Sequence, residues 1–230
     1  MDIEKLRSKP HLSASAINDY VECGLLYKLS RIDGSVKEFI PEALIFGSAV
    51  HEALSVFYKG RKNGITLSPE ELIMRFERIW AEKAEGNEAI SYKDGKDFII
   101  LLNEGKSLLG TYYKNLRDDH YRVLAVEDPF ELTLDGLDIP VIGIIDLLEE
   151  DESGTLIITD HKTAGKSYTS DDVDKNFQLT VMVACLALTA PVMSSAEKSL
   201  STSRSPFRTY WLSRWTRLVF TRSIPAPMST

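Results

Sequence analysis

The sequence predicts an α/β domain in which an N-terminal helical part precedes a central mixed sheet, built on an antiparallel meander and flanked by helices. Three observations predict it. Apolar residues recur at helical spacing through the first half of the chain. From Arg122 the period changes to two. Short β-branched runs are then separated by the turn signals Asp135-Gly136 and Asp151 to Gly154, which is how successive hairpins read.

In chain order, Ser13 or Ser15 is a plausible N-cap for a helix ending near Gly34. Its Tyr20, Leu25 and Tyr27 are expected in the core. Pro41 opens a second helix that Gly60 is suited to stop. Leu44, Gly47, Val50, His51, Leu54, Phe57 and Tyr58 share its apolar stripe, so His51 belongs to a buried face. Gly47, one turn before His51, allows another backbone to approach. Ser68-Pro69-Glu70-Glu71 is a capping box with Pro at the first helical position, and its stripe runs on to Gly86. Gly95 to Leu116 reads as a long amphipathic helix.

The sheet begins with Val123–Glu127 and Phe130–Leu134, one strand interrupted at Pro129. Ile139–Leu148 and Thr155–Thr163 are the next two strands. Asp171–Leu188 reads as a helix with Val173, Phe177, Val181 and Cys185 on one side and Gln178 one position round from Phe177. These elements place one domain at residues 1–189, with a helical part at 12–117 and the sheet at 122–189. Residues 190–230 form an atypical Ser/Arg-rich tail with nine Ser and four Pro. That tail reads as an altered frame, a truncation or a foreign segment, or as an irregular native extension; Phe207–Phe220 would give it one or two strands.

Composition narrows the class. At 230 residues the chain is long enough for a substantial core, and 43% hydrophobic with 27% charged is ordinary for a soluble protein. No apolar run approaches a bilayer span, and the opening Met-Asp-Ile-Glu-Lys lacks a secretory segment. Cys23 and Cys185 lie far apart, which argues for a reducing, cytoplasmic setting. The net charge is −7 and unevenly placed: the first 189 residues carry −12 and the tail +5. An acidic body disfavours bulk nucleic-acid binding unless a metal neutralises the site locally.

The candidate chemistry lies between Val141 and Gln178. Asp160 and Lys162 are two apart on a strand and share a face, with His161 on the other. If the hairpin pairs tightly, Asp146 comes close to both. Two carboxylates and an ammonium at the end of an apolar sheet are costly to bury unless they hold something. A hard divalent cation with a phosphate beside it fits.

Each motif alone is weak, but their order is specific: Ser13-Ala-Ser15…Tyr20…Cys23, Gly47-x-x-x-His51, Gly143-Ile-Ile-Asp146, Asp160-His161-Lys162-Thr163, then Phe177-Gln178-Leu179. Over roughly residues 12–188 this resembles the PD-(D/E)XK nuclease superfamily and, within it, the RecB-like branch of CRISPR-associated and helicase-linked exonucleases. The resemblance implies a restriction-endonuclease-like core and a divalent-metal-dependent DNA nuclease, an exonuclease in DNA repair, recombination or phage DNA processing. It implies that Asp146, Asp160, the His161 carbonyl and His51 hold Mg²⁺ or Mn²⁺, the imidazole favouring Mn²⁺. Lys162 would act on the attacking water or the developing charge, and Gln178 would position Lys162 or the substrate. Glu127, one strand earlier, fits a structural role as well as a functional one.

Two departures bear on function. Met182 stands where the branch often has a Tyr, four residues after Gln178. Some members carry an iron–sulfur cluster on one N-terminal and three C-terminal cysteines; Cys23 matches the first, the tail has no Cys, and no cluster is expected. DNA is the expected partner, with a helicase or recombination protein beside it and no membrane. The alternatives are an inactive nucleic-acid or protein-binding module of the same fold, or an α/β domain in which Asp160 and Lys162 form a surface ion pair worth little.

Overall fold

The structure of the protein is a computed structural model and describes residues 2–35, 38–116, 121–152, 154–163, 176–189 and 219–223. Helices α1 (Ile3–Arg7), α2 (Ala14–Glu22) and α3 (Gly24–Tyr27) come first, the last running into a π-helical turn at Lys28–Ile32. The short parallel strands β1 (Ile40–Pro41) and β2 (Ile90–Ser91) brace the long helices α4 (Glu42–Lys62) and α5 (Pro69–Ala84). Helix α6 (Phe98–Lys114) follows. The sheet then forms from β3 (Arg122–Leu132), β4 (Val141–Glu150) and β5 (Leu156–Lys162), with α7 (Phe177–Thr189) before β6 (Val219–Ser223).

The strand order is β3-β4-β5-β6, antiparallel across the first three and parallel between β5 and β6. This is the expected mixed sheet on an antiparallel meander. Residues 219–223 of the tail add a strand beside β5. Of Phe207–Phe220, residues 207–218 lie outside the described residues, as do 171–175 of the expected last helix.

Two cores sandwich the sheet. One joins α4, α5 and α6 to Val123 and Leu147 of the sheet. The other joins Phe130, Ile145, Leu148 and Ile158 to Leu179, Met182 and Cys185 of α7. Strand β4 is buried on both sides, so it reads as a continuous apolar run rather than an alternating one.

Local signals explain the long helices. Ser68 and Glu71 form the capping box reciprocally, at 2.7 and 3.2 Å, with Pro69 opening α5. Asp97 caps α6 by accepting from the Ile100 N–H at 2.7 Å. Trp80 is fully buried, stacked with Phe76 and Phe98, and its indole N–H donates to the Phe98 carbonyl at 3.1 Å. Gly60 does not end α4; the helix runs to Lys62 and Gly64 takes the left-handed position beyond it. Leu44, assigned to the buried stripe, is exposed. No helix among the described residues is long and apolar enough to cross a membrane.

The first expected helix is broken. Cys23 is extended (φ −159°, ψ 105°), ends α2 and caps α3 through its sulfur. The turn rotates the apolar positions off one face, leaving Tyr20 at 64% and Leu25 at 63% exposure instead of in the core. Tyr20 packs edge-on against the half-buried Tyr27, and Arg31 pairs with Asp19 at 2.8 Å. Pro129 does not interrupt the first strand either. It sits in register opposite Ile144 within an unbroken β3, which is tolerated because β3 is an edge strand.

Gly143 lies directly across from Phe130, whose ring covers it; a Cβ there would come 2.5 Å from the ring. Gly143→Ala is therefore expected to lower stability by about 1–3 kcal/mol through overpacking. Chemical denaturation of the two proteins measures this, and equal midpoints would show that the Phe130 ring yields freely.

Candidate active site

The site forms where two strands part. The last rung between β4 and β5 joins Leu147 to Thr159. Beyond it β5 pairs with β6, Asp160 facing Thr221 and Lys162 facing Ser223. Further along the same edge of β4, Leu12 bridges to Val141, and the Ile142 N–H donates to the Leu12 carbonyl at 2.8 Å. Between these two contacts, no described strand covers that edge. Asp146 lies in the gap, within β4 rather than at its end.

Backbone groups exposed by the parting must be satisfied. The His161 N–H donates to Asp146 Oδ2 at 2.9 Å. The His161 carbonyl oxygen lies 2.5 Å from His51 Nε2, and the other ring nitrogen, Nδ1, lies 3.4 Å from Asp146 Oδ2. A carbonyl can only accept, so Nε2 carries the proton in this contact. One imidazole thus touches both the strand and the carboxylate. Helix α4 comes this close because Gly47 stands one turn before His51. A Cβ at Gly47 would meet Thr163 Oγ1, just beyond β5, at 3.2 Å.

The His161 side chain enters the helical core on the same side as His51, with its Nδ1 4.0 Å from Asp146 Oδ2. Its Nε2 lies 3.1 Å from the Tyr112 hydroxyl, which lies 2.6 Å from the Tyr58 hydroxyl. The Tyr58 and Tyr112 rings also pack against the imidazole. The opposition of His161 to Asp160 and Lys162 follows the alternation of the strand.

Asp160 and Lys162 meet α7. The Lys162 ammonium is 2.8 Å from Asp160 Oδ2 and donates to Gln178 Oε1 at 3.2 Å; Gln178 Nε2 donates to Asp160 Oδ1 at 3.4 Å. Asp160 Oδ2 is buried, and its ion pair with Lys162 is too poorly aligned to count as a hydrogen bond. Gln178 reaches this position because it shares a stripe with Met182 and Cys185, which are buried against the sheet. Of the side that the sequence groups together, Val181 and Cys185 are buried while Phe177 is exposed. Met182, at the position where the resemblance looks for a Tyr, is fully buried in the second core.

Burial pushes the Asp146 carboxyl up to about 6. The His51 charge and the His161 N–H oppose that rise, while the Asp160 and Glu127 charges add to it. Glu127 is also raised by burial, with His51 and Lys59 opposing.

The structure thus brings His51, Asp146 and the His161 carbonyl together, with Asp160, Lys162 and Gln178 in an adjoining triangle. It also brings in Glu127, which the sequence left open between a structural and a functional role. Ligand atoms of His51, Glu127 and Asp146 all lie within 4.8 Å of one another. Only the position of Glu127 in a strand before the Asp146 strand hinted at this. A set of imidazole nitrogen, carboxylate oxygens and a backbone carbonyl suits a divalent cation of the Mn²⁺ or Mg²⁺ kind.

The comparison with known families agrees with this chemistry. The PD-(D/E)XK nuclease superfamily matches residues 11–213. The chain belongs to this superfamily. Its members are metal-dependent nucleases that act on DNA, and the superfamily match reaches past α7 into the tail. No curated protein matches the chain.

Burial makes the folded, metal-free protein hold the Asp146 proton more tightly than the unfolded chain does. The resulting stabilisation is full below the ordinary value of 3.8 and is lost as the pH rises through about 6. The loss amounts to about 3 kcal/mol. Thermal denaturation in EDTA, from about pH 4 to about pH 8, should show the parent losing stability relative to Asp146→Asn as pH rises. Parallel curves would mean that Asp146 is not held above its ordinary range.

Proposed function

We propose that this chain is a divalent-metal-dependent DNA exonuclease of the RecB-like branch, hydrolysing phosphodiester bonds in DNA repair, recombination or phage DNA processing. The observation that carries the reading is the convergence of His51 on the His161 carbonyl at 2.5 Å and on Asp146 at 3.4 Å, beside the Asp160–Lys162–Gln178 triangle. The branch assignment is supported by the order of Gly47-x-x-x-His51, Gly143-Ile-Ile-Asp146, Asp160-His161-Lys162-Thr163 and Gln178, and the exonuclease mode is what the resemblance to that branch implies.

In this reading His51, Asp146, Asp160 and the His161 carbonyl hold the cation. Mn²⁺ suits the imidazole better than Mg²⁺. When bound, the cation supplies Lewis acidity and neutralises charge at the scissile phosphate. Lys162 is the ammonium of the site. It orients the attacking water by hydrogen bonding and offsets the charge that gathers on the phosphate oxygens. Gln178 is a positioning residue: it accepts from Lys162 and donates to Asp160, so neither side chain is free to swing away.

The nuclease unit in this reading is residues 1–189, to which strand β6 adds an edge. The acidic charge of that unit gives a weak unaided grip on DNA, so a helicase or recombination protein is the partner that would deliver the substrate in the cytoplasm. Lys166 and Lys175, basic residues near the site in sequence, lie outside the described residues.

The test is digestion of end-labelled linear DNA, single- and double-stranded, with Mn²⁺ or Mg²⁺, beside closed circular DNA. Digestion should stop with EDTA and fall about 100-fold or more in Lys162→Ala. A Lys162→Ala protein that cuts as fast as the parent would remove Lys162 from the mechanism. Circles cut as fast as linear DNA would overturn the exonuclease mode.

A further inference from the structure

Glu127 has no part in the roles assigned above, yet its geometry is the most unusual in the sheet. Among the described residues it is the one non-glycine with a left-handed backbone, at φ 50°. That conformation is costly for a residue with a Cβ, and glycine or asparagine would adopt it more readily.

The cost has a geometric consequence. Val126 packs against the helical core. Continued extension would send residue 127 to the opposite face of the sheet. The left-handed turn instead keeps the Glu127 carboxylate on the α4 side, beside His51. The register places it across from Asp146, since Val126 pairs with Leu147 and Asp128 with Ile145.

The surroundings give this carboxylate little else to do. No hydrogen bond among the described residues reaches it, and the positive charges acting on it are His51 and Lys59. When both are ionised, two carboxylates with ligand atoms within 4.8 Å, one buried and one half-buried, repel each other, and a divalent cation between them relieves that repulsion. The imidazole of His51 is the third donor on the same space.

We propose that Glu127 is a further ligand of the site's divalent cation, completing a His51–Glu127–Asp146 set of borderline-to-hard donors that takes Mn²⁺. This rests on the proposed function, since the cation is the same. The strained backbone is what brings the third donor to the site.

The experiment is calorimetric titration of the full chain with Mn²⁺, without DNA, for the parent, Glu127→Gln, Glu127→Asn and Asp146→Asn. The thermal midpoint of each is recorded in EDTA. Both Glu127 variants should bind Mn²⁺ about tenfold or more weaker. Their metal-free midpoints should equal or exceed that of the parent, Asn above Gln because it tolerates the left-handed backbone. Variants that bind within about twofold of the parent would overturn the proposal, as would a fall in the metal-free midpoint with Mn²⁺ affinity retained, which marks a structural residue. If Asp146→Asn loses Mn²⁺ while both Glu127 variants keep it, Glu127 alone is excluded and the site reading stands. If the folded parent binds no Mn²⁺, the site reading falls and this proposal falls with it.

Discussion

The parting of β4 from β5 after the Leu147–Thr159 rung is the constraint on which the rest of the site depends. A parted ladder exposes backbone groups, and leaving one buried and unsatisfied costs about 1–3 kcal/mol. The His161 N–H is taken up by Asp146, and its carbonyl by His51. The same two side chains are the ones best placed to hold a cation. Backbone satisfaction and ligand placement are therefore one arrangement, and α4, β4 and β5 are locked together by it.

The surrounding fold defends that arrangement from several sides. Gly47 removes the bulk that would hold α4 away from the end of β5. The buried Tyr58–Tyr112–His161 chain anchors β5 from the helical core. Met182 and Cys185 seat α7 against the other face, which aims Gln178 at Asp160 and Lys162. The stability of these cores is what allows the site to carry unfavourable features: a carboxyl raised by burial at Asp146, a poorly aligned buried oxygen at Asp160, and a left-handed glutamate. Such costs collect where function needs them, because elsewhere nothing would offset them.

Much of this was legible in the residues. The capping box at Ser68, the change of period at Arg122 and the three meander strands all lie in their expected places, with boundaries moved by a few residues. Asp160 and Lys162 share a face as strand geometry requires. The errors came where a local pattern met a non-local one. Tyr20 and Leu25 read as core only in a continuous helix, and the extended Cys23 breaks it. Pro129 read as an interruption because nothing local marks β3 as an edge strand. Phe177 shares a helix side with Val181 and Cys185 in the sequence, but α7 leaves it exposed and turns the Gln178–Met182–Cys185 stripe inward. Glu127 stayed open between a structural and a functional role, since its left-handed backbone conformation leaves no trace in composition.

Read alone, the chain specifies its elements, its meander and the residue types of a nuclease-like centre. Those signals are local: caps, turns and periods act within a few residues of one another. Which strand edge stays open, which face of α7 turns inward and which carboxylates meet His51 depend on contacts between residues far apart in sequence. His51 reaches His161 across 110 positions, and no short-range propensity encodes that meeting. Packing decides it, because only the assembled cores set how closely α4 lies to β5 and where β4 and β5 must part.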